Sequence, residues 1–248
     1  MGVNTLELDL QISQDGKVVV SHDAYFHSRY ATRPDGSEVK SGDPKEYLYT
    51  MPYSTIAKYD VGKRPSSVWP GKEQSPAIKP LATELIDSVE NYVKANGLDP
   101  MRYNIEIKCR KGKDEGKNWP EYHEFVDKCM ELLLSKNLGD RLVVQCIDPR
   151  ALNYMHEKYP QVKLSYLIRK MDTDWDTYMG KLNFTPDWLS PEFVIVDQTM
   201  VDNCRKAGIR LVPWTVDNEA DIRRILDLHV EAIITNYPDR VLKITRGY

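Results

Sequence analysis

Two carboxylates two residues apart, Glu7 and Asp9, and an imidazole–carboxylate pair, His22-Asp23, are the first groups along the chain able to do acid–base or metal chemistry. Glu7 and Asp9 sit in the alternating run Thr5-Leu6-Glu7-Leu8-Asp9-Leu10-Gln11-Ile12. Successive side chains of a strand point to opposite faces, so the two acids share one face and Leu6, Leu8 and Leu10 share the other. Like charges so placed each cost more to ionise unless a cation lies between them. The turn signal Asp15-Gly16 leads into a second apolar run, Val18-Val19-Val20, which ends at His22-Asp23. One hairpin thus brings together the groups that metal-assisted acid–base chemistry needs. An exposed amphipathic strand carries the same alternation, so the pattern alone leaves both readings open.

The rest of the chain must position these groups. Its 248 residues suit two small domains or one α/β barrel, and 41% apolar residues suffice for a substantial core. A net charge of −3 argues against a nucleic-acid binder working by phosphate neutralisation. No apolar run approaches the ~20 residues of a membrane span. The four cysteines, Cys109, Cys129, Cys146 and Cys204, form no Cys-x-x-Cys pair, so neither a zinc knuckle nor a redox motif is present. After Asp23 the stretch 24–79 is irregular and rich in Tyr, Ser, Gly and Pro, with turn signals at Arg33-Pro34-Asp35-Gly36 and Trp69-Pro70-Gly71. A long excursion of this kind inside a domain is a functional loop or an insertion. Its aromatics (Tyr25, Phe26, Tyr30, Tyr47, Tyr49, Tyr53, Trp69) are expected to pack on the main body or wall a pocket.

From Pro80 a regular alternation sets in. Helical spacing predicts helices over Leu81–Val93, Tyr122–Ser135, Pro149–Lys158, Trp175–Leu182, Gln198–Ala207, Asn218–His229 and Pro238–Ile244. Between them the sequence predicts strands at Tyr103–Lys108, Arg141–Cys146, Lys163–Ile168, Trp188–Pro191, Ile209–Val216 and Ala232–Asn236, with a further extended piece at Phe193–Ile195. Sustained strand–helix alternation implies right-handed βαβ units and a parallel sheet. No Gly-rich loop follows a strand, which weighs against a dinucleotide fold. Polar residues recur at strand C-terminal ends (Glu7/Asp9, His22, Glu106/Lys108, Gln145, Trp214, Asn236), and in a closed barrel these ends meet at one mouth. Seven strands, counted from the Glu7 strand, predict a (β/α)8 TIM barrel lacking its first βα unit, residues 1–248 forming one domain with 24–79 as an insertion after the His-Asp strand.

Leu6-Glu7-Leu8-Asp9-Leu10-Gln11 with Asp15-Gly16, Val19-Val20-Ser21-His22-Asp23, Asn104-Ile105-Glu106-Ile107-Lys108, Val212-Pro213-Trp214-Thr215-Val216 and Ile234-Thr235-Asn236-Tyr237-Pro238-Asp239 resemble, in order and spacing, the glycerophosphodiester phosphodiesterase family. The resemblance covers essentially the whole chain. It implies a TIM barrel and metal-dependent hydrolysis of a glycerophosphodiester to glycerol 3-phosphate and an alcohol. It also implies Glu7, Asp9 and Glu106 as ligands of Mg²⁺ or Ca²⁺, hard cations that prefer oxygen donors. His22 is then one of two acid/base histidines, Lys108 a phosphate contact, and Gln145 and Trp214 the lining for glycerol and phosphate. The expected partner is a small-molecule glycerophosphodiester, not a nucleic acid, and no stable membrane insertion is expected.

The family's opening His-Arg-Gly and Pro-Glu-Asn-Thr motifs are not found in this sequence, and Asn236 stands where Asp is common. The first of those motifs supplies the partner histidine, so either a preceding βα unit, with any signal peptide, lies upstream of Met1, or catalysis is impaired. His123, His156 and His229 fall in predicted helices as surface residues, and His27, in the insertion, is the remaining candidate partner. Rival readings are a phosphodiester- or polyol-binding barrel, a related phospholipase acting on intact lipid, and a sugar-processing barrel using the carboxylates directly.

Overall fold

The structure, a computed structural model, describes residues 2–65, 71–172 and 174–246. Trp69, expected above among the insertion's packing aromatics and in a turn signal, lies outside the described residues.

Strand β1 (Thr5–Ile12) turns through Ser13–Lys17 into β2 (Val18–Val20), with Leu10 opposite Val20 and Ile12 opposite Val18. The turn closes because the Ser13 hydroxyl donates to Asp15 at 2.6 Å and accepts from the Lys17 amide at 2.9 Å, while Gly16 takes φ +72°, a region that favours glycine. Among its described residues the stretch 24–79 forms a 3-10 turn (Leu48–Thr50), a short helix, α1 (Tyr53–Ile56), and its own apolar cluster. Phe26, Ala31, Val39, Leu48, Ile56 and Tyr59 pack there with Val19 of β2, and the rings of Phe26 and Tyr59 stack 3.8 Å apart. Arg33 ties the loop by ion pairs to Asp43 and Glu46, each at 2.7 Å.

Helix α2 (Ala82–Ala95) leads to β3 (Arg102–Ile107), and α3 (Tyr122–Ser135) to β4 (Leu142–Cys146). Then follow α4 (Pro149–Lys158), β5 (Lys163–Ile168), α5 (Trp175–Met179), β6 (Trp188–Pro191), α6 (Gln198–Ala207), β7 (Arg210–Leu211), α7 (Glu219–Asp227) and α8 (Pro238–Arg246). Local chemistry sets several helix starts. Asp148 accepts from the Arg150 amide with Pro149 in the first turn, Asp197 from Met200 and Asn218 from Asp221. Gly208, at φ +70°, ends α6.

The strands form one sheet in the order β2-β1-β3-β4-β5-β6-β7, parallel from β3 through β7, with β2 antiparallel to β1. This is a TIM-barrel fold with one βα unit of eight not represented among the described residues. The count of seven agrees with expectation, but its membership differs. The hairpin return β2 belongs to the sheet, whereas Ala232–Asn236 is not a strand and is held by single bonds from Ala232 to Leu211, Ile234 to Pro213 and Val216 to Ile234. The predicted strand Ile209–Val216 shortens to Arg210–Leu211 because Pro213 has no N–H to offer the ladder. Phe193–Ile195, expected to be extended, forms a 3-10 turn, and α5 ends at Met179 rather than Leu182.

The chain divides into two compact units, each discontinuous: residues 1–7, 99–106 and 138–248, and residues 8–98 and 107–137. The division falls inside β1, after Glu7, and inside β3, after Glu106, so each of those strands runs through it as continuous chain.

Candidate active site

The parallel register places Glu106 of β3 beside Gln145 of β4, and Gln145 beside Ser165 of β5. Alternation along β1 puts Glu7 and Asp9 on one face, and one ligand oxygen each from Glu7, Asp9 and Glu106 lie within 4.8 Å of one another. Glu106 is buried, Asp9 half-buried and Glu7 exposed. At an effective dielectric of about 20, two unit charges at that limit repel by about 3.5 kcal/mol, and closer ones by more. Lys108, two residues beyond Glu106, answers part of it: its ammonium lies 3.2 Å from Oδ1 of Asp9. Three carboxylate oxygens that close together are the donors a hard cation prefers. The residues present therefore fit Mg²⁺ or Ca²⁺.

Gln145 is 1% exposed, and its amide donates to Oε1 of Glu7 at 2.7 Å. The indole N–H of Trp214, half-buried, donates to the carbonyl of Ser190 at 2.8 Å. Asn236 is tied down as well. Its backbone and side-chain amides both donate to Asp217, whose Oδ1 also accepts from Thr235.

His22 follows β2 and is 67% exposed at the side chain, with Nδ1 3.1 Å from Oδ1 of Asp23. The Tyr30 hydroxyl donates to the other Asp23 oxygen at 3.0 Å. Burial raises the Asp23 carboxyl, but the bond and charge of His22, the Tyr30 hydroxyl and the charge of Lys79 outweigh it and bring it down to about 2. Asp23 is thus ionised at neutral pH and accepts from Nδ1–H of His22, so that Nε2 is the ring nitrogen turned away from this bond. Behind this pair lies Lys79, 6% exposed, donating to the Ser21 hydroxyl at 2.6 Å; that hydroxyl donates in turn to the Asp23 carbonyl at 2.7 Å. Burial pushes the Lys79 ammonium down to about 8, against the opposing pull of Asp23.

The remaining histidines are engaged elsewhere. His27 stacks against Tyr25 and Tyr30, its Nδ1 accepts from the Arg29 amide, and burial together with the Arg29 charge lowers its pKa. His123 pairs with Glu121 at 3.0 Å, His156 stacks on Phe184, and His229 is exposed. Sequence reasoning missed Lys79 and the grip of Tyr30 on Asp23. A lysine next to Pro80 at the end of a polar insertion carries no signal of burial. Asn104, which donates to Gln145, was legible, because alternation puts it on the Glu106 face of β3.

A sequence model of the glycerophosphoryl diester phosphodiesterase family matches residues 1–240. A glycerophosphodiester phosphodiesterase of Bacillus subtilis (strain 168) is 26% identical over 100% of this chain and 78% of its own length. The human lysophospholipase D GDPD1 is 24% identical over 97% of this chain and 76% of its own. Among solved structures, a candidate glycerophosphoryl diester phosphodiesterase of Silicibacter pomeroyi DSS-3 superposes with a TM-score of 0.82 at 21% identity, covering 99% of this chain and 85% of its own. A phosphodiesterase of Oleispira antarctica, in complex with the product sn-glycerol-3-phosphate, gives 0.75 at 20% identity, covering 99% and 86%. The structural likenesses bear on the fold, and the family match spans nearly the whole chain. The chain therefore belongs to the glycerophosphoryl diester phosphodiesterase family.

Proposed function

We propose that this chain, acting over residues 1–248 as one catalytic domain with 24–79 inserted, hydrolyses glycerophosphodiesters to sn-glycerol 3-phosphate and an alcohol. Glu7, Asp9 and Glu106 hold a divalent cation, Mg²⁺ or Ca²⁺. The observation that carries this reading is the convergence of the three carboxylates within 4.8 Å in a chain of this family. The complex of the Oleispira relative with sn-glycerol-3-phosphate supports the substrate class.

Bound there, the cation supplies Lewis acidity toward the phosphoryl oxygens. Lys108 adds a point charge for a non-bridging phosphate oxygen while its ion pair with Asp9 keeps the ammonium in place. His22 moves a proton at Nε2: as imidazolium it delivers one to the leaving alkoxide, and as neutral imidazole it takes one from the attacking oxygen. Asp23 fixes which ring nitrogen is available for either role. Trp214 lines the glycerol side.

The test is release of sn-glycerol 3-phosphate from glycerophosphocholine and glycerophosphoethanolamine, and of lysophosphatidate from a lysophospholipid, with Mg²⁺, Ca²⁺ or EDTA. Metal-dependent cleavage of the first two substrates, lost in Glu7→Gln, is the expected result. Tight binding of cation and diester without cleavage would make the protein a binding barrel instead. Cleavage of the lysophospholipid alone would move the substrate class to that of the human relative. Among the described residues no helix is long and apolar enough to cross a membrane.

A further inference from the structure

Gln145 is level with Glu106 on one side and Ser165 on the other, and its amide sits in a chain of hydrogen bonds with one possible polarity. Oε1 of Glu7 can only accept when ionised, so the Gln145 group facing it at 2.7 Å is the NH₂. That choice turns the Gln145 carbonyl oxygen toward Asn104 and Ser190, which must both donate, at 3.0 and 3.4 Å. Ser190, having spent its proton there, must accept from Ser165 at 2.7 Å. Ser165 and Ser190 are fully buried, and Asn104 is 8% exposed. One carboxylate thus sets the orientation of four side chains on three neighbouring strands, β3, β4, β5, and on β6 beyond them.

We propose that Gln145 is a positioning residue for the cation: it fixes the Glu7 carboxylate by holding Oε1, so that the other oxygen and the remaining lone pairs face the metal. The proposal rests on the reading of Glu7 as a cation ligand and assigns Gln145 a role other than lining the glycerol pocket. The arrangement has a cost that packing alone would not select. With its NH₂ committed to Gln145, Asn104 is left with a buried Oδ1 that has no hydrogen-bond partner. An unpaired buried acceptor is destabilising, and apolar residues of similar volume would avoid it. Such a network fits a residue that orients a ligand, since partners of metal-binding groups typically set affinity by about 10–100-fold.

Mn²⁺ titration of the full chain by electron paramagnetic resonance, together with kcat at saturating metal, tests this. Gln145→Met should weaken Mn²⁺ binding about 10–100-fold while recovering most of kcat at high metal. Ser190→Ala, which leaves the Glu7 bond intact, should change affinity less than about threefold and so control for packing. If Gln145→Met does not fold, Gln145→Asn, one methylene too short to reach Glu7, carries the same expectation. Mn²⁺ affinity within twofold of wild type in a folded Gln145 variant overturns the proposal while leaving the function reading in place, provided Glu7→Gln loses the metal. If the wild-type chain binds no Mn²⁺, or Glu7→Gln binds it as tightly, the function reading falls and this inference falls with it.

Discussion

Glu7 is held from the sheet by Gln145, whose partners Asn104, Ser165 and Ser190 stand on strands in fixed parallel register. His22 is held by its neighbour Asp23, which is held in turn by Tyr30 from within the insertion, while Ser21 is held by Lys79 at the insertion's far end. The first network is buried and rigid, because a strand cannot shift by one residue without turning its polar face outward. The second is built from a loop around an exposed imidazole. The difference is between side chains fixed by sheet register and side chains fixed by a loop whose own apolar cluster of Phe26, Leu48, Ile56 and Tyr59 keeps it in place. On the proposed function, the first would set cation geometry and the second proton transfer.

Four measurements would break or sharpen that division. Glu106→Gln removes a buried acid from the sheet side and should lower turnover on the order of 10⁴-fold with loss of metal binding, as removal of about 5 kcal/mol of charge stabilisation predicts. A loss under tenfold would dissolve the sheet-side role. His22→Ala should cost about 10³-fold in kcat and leave Mn²⁺ affinity unchanged; a matching fall in affinity would mean the two networks are not separate in function.

Lys79 sharpens the comparison through pH. Its folded pKa of about 8 lies below the ordinary 10.5, so between those values the unfolded chain binds more protons and stability rises with pH. Below about pH 8 the ammonium is charged in both states and this contribution is flat. The rise, up to about 3 kcal/mol, should be visible in urea melts from pH 8 to 10 and absent in Lys79→Met. An unchanged profile in that variant would remove Lys79 from the loop network. Smallest of the four, Tyr30→Phe should lower stability by about 2 kcal/mol, the worth of a hydrogen bond to a charged group. The same change should shift the acid limb of the activity profile upward, because Asp23 loses a donor that favours its ionised form. A melt and a profile both identical to wild type would show that Asp23 needs no help from the insertion.

Much of the sheet side was legible. The alternation in Thr5–Ile12 and in Tyr103–Lys108 puts Glu7 with Asp9 and Glu106 with Lys108 from sequence alone, because a period of two follows from the backbone itself. The helices α3, α4 and α6 begin and end where their apolar spacing, the acidic caps Glu121, Asp148 and Asp197, and Gly208 place them. The insertion resisted for the opposite reason. Its core joins residues such as Phe26 and Tyr59 that no period relates, and its aromatics pack chiefly on each other. Ala232–Asn236 reads as a strand by composition, yet it forms too few bonds beside a proline-interrupted β7 to become one.

Sequence by itself determined which acids share a face, where the helices start and the family to which the chain belongs, since these depend on local periodicity and short motifs. Tertiary structure alone decided that Gln145 would meet Glu7 across 138 residues and that Lys79 would be buried under Ser21 across 58. Both are consequences of where distant strands and loops come to rest, and no local preference encodes a hydrogen bond whose partner is set by the register of the whole sheet.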